Sequence, residues 1–276
     1  MLGLGSMNGA ILSGLLTGGV EADRVVATAR SSASARRSAE QYGVQVLAEE
    51  ESTGANAEAA GKADVIFLGV KPPQIVDLCH QIASSLKPSA VVVSVAAAVT
   101  VEMMEEALPA GQPVIRTMPN TPLSVGAGVV GLVPGTHTSQ EQVESVAELL
   151  GTSGAVHVLD EEQIDALTGV AGSGPAYAFY LAEHMAAAGV EMGLDPELAA
   201  DLAAQTIYGA GKMLVENRGE NDAAQLRRDV TSPRGTTSRA IETFDAAEMG
   251  RTIRQGAQAS AARAAEITRQ LRGDAA

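Results

Sequence analysis

Short runs that are apolar at almost every position recur through the first half of the chain, each followed by a stretch of helical length. Residues 63–70 form the strongest run, and 24–28, 90–95, 113–116 and 128–133 are further ones, with helical stretches such as 34–42 and 74–86 between them. A strand with one face in water alternates apolar and polar residues, whereas one that is apolar throughout must be covered on both faces. Such strands separated by helices predict an α/β unit, a doubly wound parallel sheet with helices on either side.

Beyond about residue 159 the texture changes. Strand-like runs stop, and Ala-rich sequence of helical period takes over at 176–192, 196–216 and 246–271. Asp195 followed by Pro196 is a helix start, an N-cap carboxylate with Pro at the first helical position. The small residues along these stretches allow helices to approach closely, and surfaces of this kind often pair between subunits. Two domains are therefore expected, α/β over 1–158 and all-α over 159–276.

Composition narrows the function. The formal net charge is −14, which opposes non-specific attachment to nucleic acid or an anionic membrane. Aromatics are 3% and Trp is absent, which disfavours a site that stacks sugars or bases on rings. A single cysteine, Cys79, permits no intrachain disulfide and reads as a small apolar packing residue, so a cytoplasmic location is expected. No run of about 18 apolar residues suggests a membrane span. His80, His137, His157 and His184 are scattered, so no metal site is expected.

The chain opens on Gly3-Leu4-Gly5-Ser6-Met7-Asn8-Gly9, followed by an apolar helical stretch. In a Rossmann-type fold, glycines at such a turn let a pyrophosphate approach backbone N–H groups at a helix N-terminus. Here the third glycine position holds Asn8, and the strand that should precede Gly3 is reduced to Met1-Leu2. That strand would be central, so the reading is either a start several residues late or a compromised sheet. The next strand ends Thr28-Ala29-Arg30-Ser31-Ser32, with Arg36 and Arg37 following. Cations and hydroxyls there, in place of an acidic residue, favour NADPH, with NADH as the alternative. The run Glu49-Glu50-Glu51 reads as a solvated face.

Four further segments occur in order: Gly69-Val70-Lys71-Pro72-Pro73, Arg116-Thr117-Met118-Pro119-Asn120-Thr121-Pro122, Ala171-Gly172-Ser173-Gly174-Pro175-Ala176-Tyr177, and Val230-Thr231-Ser232-Pro233-Arg234-Gly235-Thr236-Thr237. Together with the N-terminal glycines, they closely resemble the pyrroline-5-carboxylate reductase family over essentially the whole chain. The resemblance implies NADPH-dependent reduction of 1-pyrroline-5-carboxylate to L-proline by a homo-oligomer whose C-terminal helices form dimers. It implies a cofactor site made of Gly3, Leu4, Gly5, Ser6, Met7, Asn8, Arg30, Ser31, Asn56, Val70, Lys71, Pro72, Ala96 and Ala97. Met118, Asn120, Val230, Ser232, Gly235, Thr236 and Thr237 would hold a small cyclic imino acid, with Thr237 at the ring nitrogen as the catalytic residue. Asn56 would equally suit a helix cap.

This chain departs from the family pattern in two further places. Arg234 stands where the family has Gly, and Ala98 where Gly is common. If Arg234 needs positive φ, the residue costs about 1–2 kcal/mol there. Two other functions remain open at this stage: a catalytically silent NADP-binding relative, and a 3-hydroxyacid dehydrogenase or other imine reductase of the same architecture. Lys212 is the only lysine beyond Lys87, and its surroundings do not match the acid/base lysine of the hydroxyacid enzymes.

Overall fold

The computed structural model describes residues 1–273; the last three residues of the expected second domain, 274–276, lie outside them. In chain order the first elements are α1 (Ser6–Thr17), β1 (Val26–Ala29), α2 (Ser32–Tyr42), β2 (Gln45–Ala48), α3 (Ala55–Lys62), β3 (Val65–Leu68), α4 (Ile75–Ile82) and β4 (Val91–Ser94). Then come α5 (Val101–Ala107), β5 (Val114–Pro119), β6 (Gly128–Pro134), α6 (Gln140–Gly151), β7 (Gly154–Val158) and α7 (Ile164–Leu167). The helices α8 (Gly174–Glu191), α9 (Pro196–Glu216), α10 (Ala223–Asp229), α11 (Thr236–Ala246) and α12 (Met249–Arg272) complete the chain. It divides into two compact units, one of residues 1–172 with 260–273 and the other of residues 173–259.

The first unit is the expected sheet covered by helices. Strands β3, β4 and β5 run parallel, β6 lies antiparallel to β5, and β7 is parallel to β6; β1 and β2 form a separate parallel pair. Successive strand residues face opposite sides and both sides are dry. Phe67, Val91, Val93 and Ile115 pack with Ile11, Leu12, Leu15, Val143, Val146 and Leu150 of α1 and α6. Ile66, Leu68, Val92 and Val114 pack with Ala59, Ala60, Ile75, Leu78, Cys79 and Ile82 of α3 and α4. That is why β4 is apolar at nearly every position. Cys79 is fully buried, and burial pushes its thiol up to about 12, so it packs and does not react.

The sheet departs from parallel pairing at one strand. β6 is antiparallel because residues 120–127 are too few for a crossover, which needs a dozen or more. They fold instead as a tight helical turn ending at Gly126, φ 71°. β2 and β7 were not expected as strands; they are short, partly exposed edges without a dense apolar run. Beyond residue 159 the described residues contain no strand, as expected.

Met1-Leu2 does lie between β1 and β3, as a central strand would. The Met1 ammonium donates to the Val26 carbonyl (2.9 Å), and Thr28 N–H donates to the Met1 carbonyl (2.9 Å). On the other side Leu2 N–H donates to Phe67 O (2.7 Å), and Gly69 N–H to Leu2 O (2.8 Å). Beside Met1 lies a cavity of about 510 Å³ lined by Leu15, Val25, Val26, Val65, Ile66 and Phe67 among others.

In the second unit, α9 begins as the sequence requires. The Asp195 carboxylate accepts from Glu197 N–H (3.0 Å) and Leu198 N–H (3.3 Å), with Pro196 opening the helix. A side chain at Gly189 of α8 would meet Ala199 Cβ at 3.2 Å, so the small residues permit close packing there. Phe179, Tyr180, Leu202 and Tyr208 remain exposed on α8 and α9. Among the described residues no helix is long and apolar enough to cross a membrane.

Candidate active site

The N-terminal turn is built from the strands upward. Gly3 has φ 75°, and a Cβ there would sit 2.7 Å from the Val70 side chain, so the turn requires glycine. Gly3 N–H donates to Thr28 Oγ1 (3.0 Å), Thr28 Oγ1 donates to Asn56 Oδ1 (2.7 Å), and Asn56 Nδ2 donates to Gln81 Oε1 (3.0 Å). Thr28 and Asn56 are buried, so this chain fixes the turn from below. Asn56 lies inside α3, whose N-cap is Gly54, and so does not cap it. Thr28 and Gln81 were not singled out from sequence; a Thr in an otherwise apolar strand was the only signal.

Leu4, Gly5, Ser6 and Met7 lead from this turn into α1, whose N-terminus no side chain caps. Asn8 lies beneath the turn with its side chain fully buried. Its Nδ2 donates to the carbonyls of Gly3 (3.1 Å) and Leu2 (3.3 Å), while Oδ1 has no partner. It therefore shapes the turn and does not face outward from it. A Cβ on Gly69 would collide with Asn8 Nδ2 at 2.2 Å, which explains why that residue is glycine.

The neighbouring loops bring more of the expected residues to the ends of the strands. Arg30 and Ser31 follow β1, and Ser31 Oγ caps α2 by accepting from Ser34 N–H (3.2 Å). Val70, Lys71 and Pro72 follow β3, with Lys71 exposed. After β4, Ala96 N–H donates to Ser94 Oγ (3.2 Å), Ala97 is exposed, and Ala98 is buried with φ 66°. The Ala98 methyl thus points into the protein, and its cost is backbone strain.

Met118 and Asn120 stand at the end of β5. Asn120 accepts from Val129 N–H (2.8 Å) and donates to the Ala171 carbonyl (3.0 Å), which ties the strand end to the π-helical turn Thr168–Gly172. The Arg116 guanidinium, buried just upstream, pairs with Glu161. Both anchors hold the segment that follows β7 against β5.

Val230, Ser232, Gly235, Thr236 and Thr237 lie in the second unit. Gly235 N–H donates to Ser232 O (3.0 Å), closing a turn in which Arg234 adopts φ 61°. Arg234 therefore carries the strain anticipated for it. α11 begins at Thr236 behind Gly235, again without a side-chain cap. An uncapped N-terminus with Thr236 and Thr237 in its first turn offers N–H and O–H donors to a carboxylate.

The fit to a dinucleotide can be judged on this geometry. The Gly3 turn packs too closely on Val70 to admit a Cβ, and it leads into a helix start that no side chain caps, which suits a pyrophosphate. Among the described residues no three His, Cys, Asp or Glu side chains gather as a metal-ligand group.

Comparison with known proteins places both units. Residues 161–267 match the family described as pyrroline-5-carboxylate reductase dimerisation, and residues 1–98 match NADP oxidoreductase coenzyme F420-dependent. The chain is 38% identical to the pyrroline-5-carboxylate reductase of Pseudomonas aeruginosa, covering 98% of this chain and 96% of that protein. It is 34% identical to pyrroline-5-carboxylate reductase 1 of Bacillus subtilis, covering 100% and 91%. The solved pyrroline-5-carboxylate reductase of Coxiella burnetii superposes with a TM-score of 0.88 at 33% identity, over 96% of each chain. The Plasmodium falciparum pyrroline carboxylate reductase, solved with NADP bound, shares the fold at a TM-score of 0.83 and 23% identity, over 97% and 96%.

Proposed function

Because the chain belongs to the pyrroline-5-carboxylate reductase family, we infer that it is an NADPH-dependent oxidoreductase that reduces 1-pyrroline-5-carboxylate to L-proline. When bound, NADPH supplies the hydride for the C=N carbon, and the ring nitrogen ends the reaction carrying a proton from solvent. The protein's part is to bind, orient and polarise.

Residues 1–158 form the cofactor domain in this reading and 159–276 the substrate and dimerisation domain. Ser6 and Met7, at the uncapped start of α1, present backbone N–H groups to the pyrophosphate; Leu4 and Gly5, whose own N–H groups bond the carbonyls of Thr28 and Gly3, shape the turn with Gly3, Asn8 and Asn56. Arg30 and Ser31 face the ribose phosphate; Val70, Lys71, Pro72, Ala96 and Ala97 border the nicotinamide half. Val230, Ser232, Gly235 and Thr236 offer hydroxyls and N–H groups to the substrate carboxylate and ring. Thr237 brings its hydroxyl to the ring nitrogen, where the oxygen accepts from the N–H of the protonated imine. A threonine hydroxyl is too weak an acid to deliver the proton at neutral pH, so it orients the iminium form. Asn120 contributes through its two hydrogen bonds, which fix the end of β5 that carries Met118.

The protein self-associates through its dimerisation domain, and the exposed Phe179, Tyr180 and Tyr208 supply apolar surface for that contact. A higher oligomer built from such dimers and a cytoplasmic location belong to the same reading, the latter supported by the lone buried cysteine.

The observation that carries the assignment to a dinucleotide is the glycine turn at Gly3, with φ 75° and the uncapped start of α1 behind it. The test is to mix purified protein with NADPH and follow its absorbance when the cyclic imine is added. Imine-dependent oxidation with formation of proline is expected. NADPH binding without turnover would favour the silent relative, and oxidation of a 3-hydroxyacid with NADP⁺ would favour the dehydrogenase.

A further inference from the structure

The start of α2, where the proposed reading puts the ribose phosphate of NADPH, already holds an anion. Glu50 Oε1 accepts from the Ser32 amide at 2.7 Å and from the Ser32 hydroxyl at 2.5 Å. Its loop is held beside the end of β1 by backbone pairing, Glu49 N–H to Ala29 O (2.9 Å) and Glu50 N–H to Arg30 O (3.2 Å). The Ser32 hydroxyl, and then the Ser32 amide, hold the Glu50 carboxyl below its usual range, so it is charged at neutral pH. The donors it uses are those with which a helix start would bind a phosphate. The run 49–51 is therefore more than a solvated face.

We propose that Glu50 is a specificity-determining residue that narrows this enzyme's preference for NADPH over NADH. This rests on the cofactor reading above and concerns the same site. A 2′-phosphate must displace the Glu50 carboxylate from Ser32 or sit beside it, and like charges at that spacing repel. A 2′-hydroxyl can instead donate to the carboxylate, which is how acidic residues select NADH in folds of this type. Arg30, Arg36 and Arg37 act in the opposite sense. Arg37 already leans on the helix start through Ser34 Oγ (3.1 Å). The balance of these opposing charges sets the preference.

Glu50→Gln tests this, since an amide oxygen can still accept from Ser32 while the charge is removed. Binding is measured by titration calorimetry for NADPH, NADH, adenosine 2′,5′-bisphosphate and AMP, with the melting temperature of each variant as a folding control. Glu50→Gln should tighten NADPH and the bisphosphate by roughly tenfold and leave NADH and AMP unchanged or weaker. Glu50→Ala should show the same direction. If the unaltered protein binds NADPH but the NADPH-to-NADH ratio moves less than about twofold in both variants, the role of Glu50 is overturned while the cofactor reading stands. If no variant binds either dinucleotide, both fall together.

Discussion

At the scale of single residues, Thr28 has the most to lose from substitution. Its hydroxyl accepts from Gly3 N–H and donates to Asn56, and it is completely buried. Thr28→Val keeps the shape but strands both partners, which costs about 2–4 kcal/mol in all. Chemical denaturation should show that loss, and NADPH affinity should fall with it because the Gly3 turn loosens. Unchanged stability would mean the hydroxyl is dispensable. Ala98 and Arg234 carry strain of a different kind, with φ of 66° and 61°. Ala98→Gly and Arg234→Gly should each stabilise the protein by about 1 kcal/mol, read as a shift of the denaturation midpoint. The need for glycine at 98 and 234 was legible only through resemblance, because neither residue type announces positive φ. Glu50 was not legible at all, since a contact between residues 18 apart depends on how two loops lie side by side.

At the scale of elements, what could be read was what local physics settles. The four consecutive buried residues of β4 required cover on both faces, and Asp195-Pro196 required a helix start; both are present. β2 and β7 escaped because an edge strand needs neither apolar continuity nor strict alternation. The direction of β6 was set by the length of the preceding connection, which apolar pattern does not encode. Met1-Leu2 is the sharpest case, a two-residue segment doing the work of a strand between β1 and β3.

At the scale of the whole molecule, the second unit matches a dimerisation family and leaves large apolar side chains exposed. Phe179 and Tyr180 on α8 and Tyr208 on α9 are each about two-thirds exposed, as is expected of a face that a second copy covers. Tyr208→Glu puts a charge on that face and should shift the light-scattering mass toward a monomer at micromolar concentration. A mass unchanged by it would place the contact elsewhere. The change from α/β to helical sequence was readable from texture alone, whereas the two compact units part at residue 172 and not at 158, with 260–273 in the first unit. The association itself was readable only from resemblance, because small residues and exposed apolar side chains do not name their partner.

In the proposed function Thr237 orients the imine for reduction while the glycine turn at Gly3 independently holds NADPH. Single-turnover kinetics of Thr237→Ala, run beside NADPH titration of the same variant, separates the two parts. The expected result is a reduction step slowed by roughly a hundredfold with an NADPH Kd within about twofold of the original. A full rate would contradict the role of Thr237, and a Kd weakened in step with the rate would contradict the division of labour.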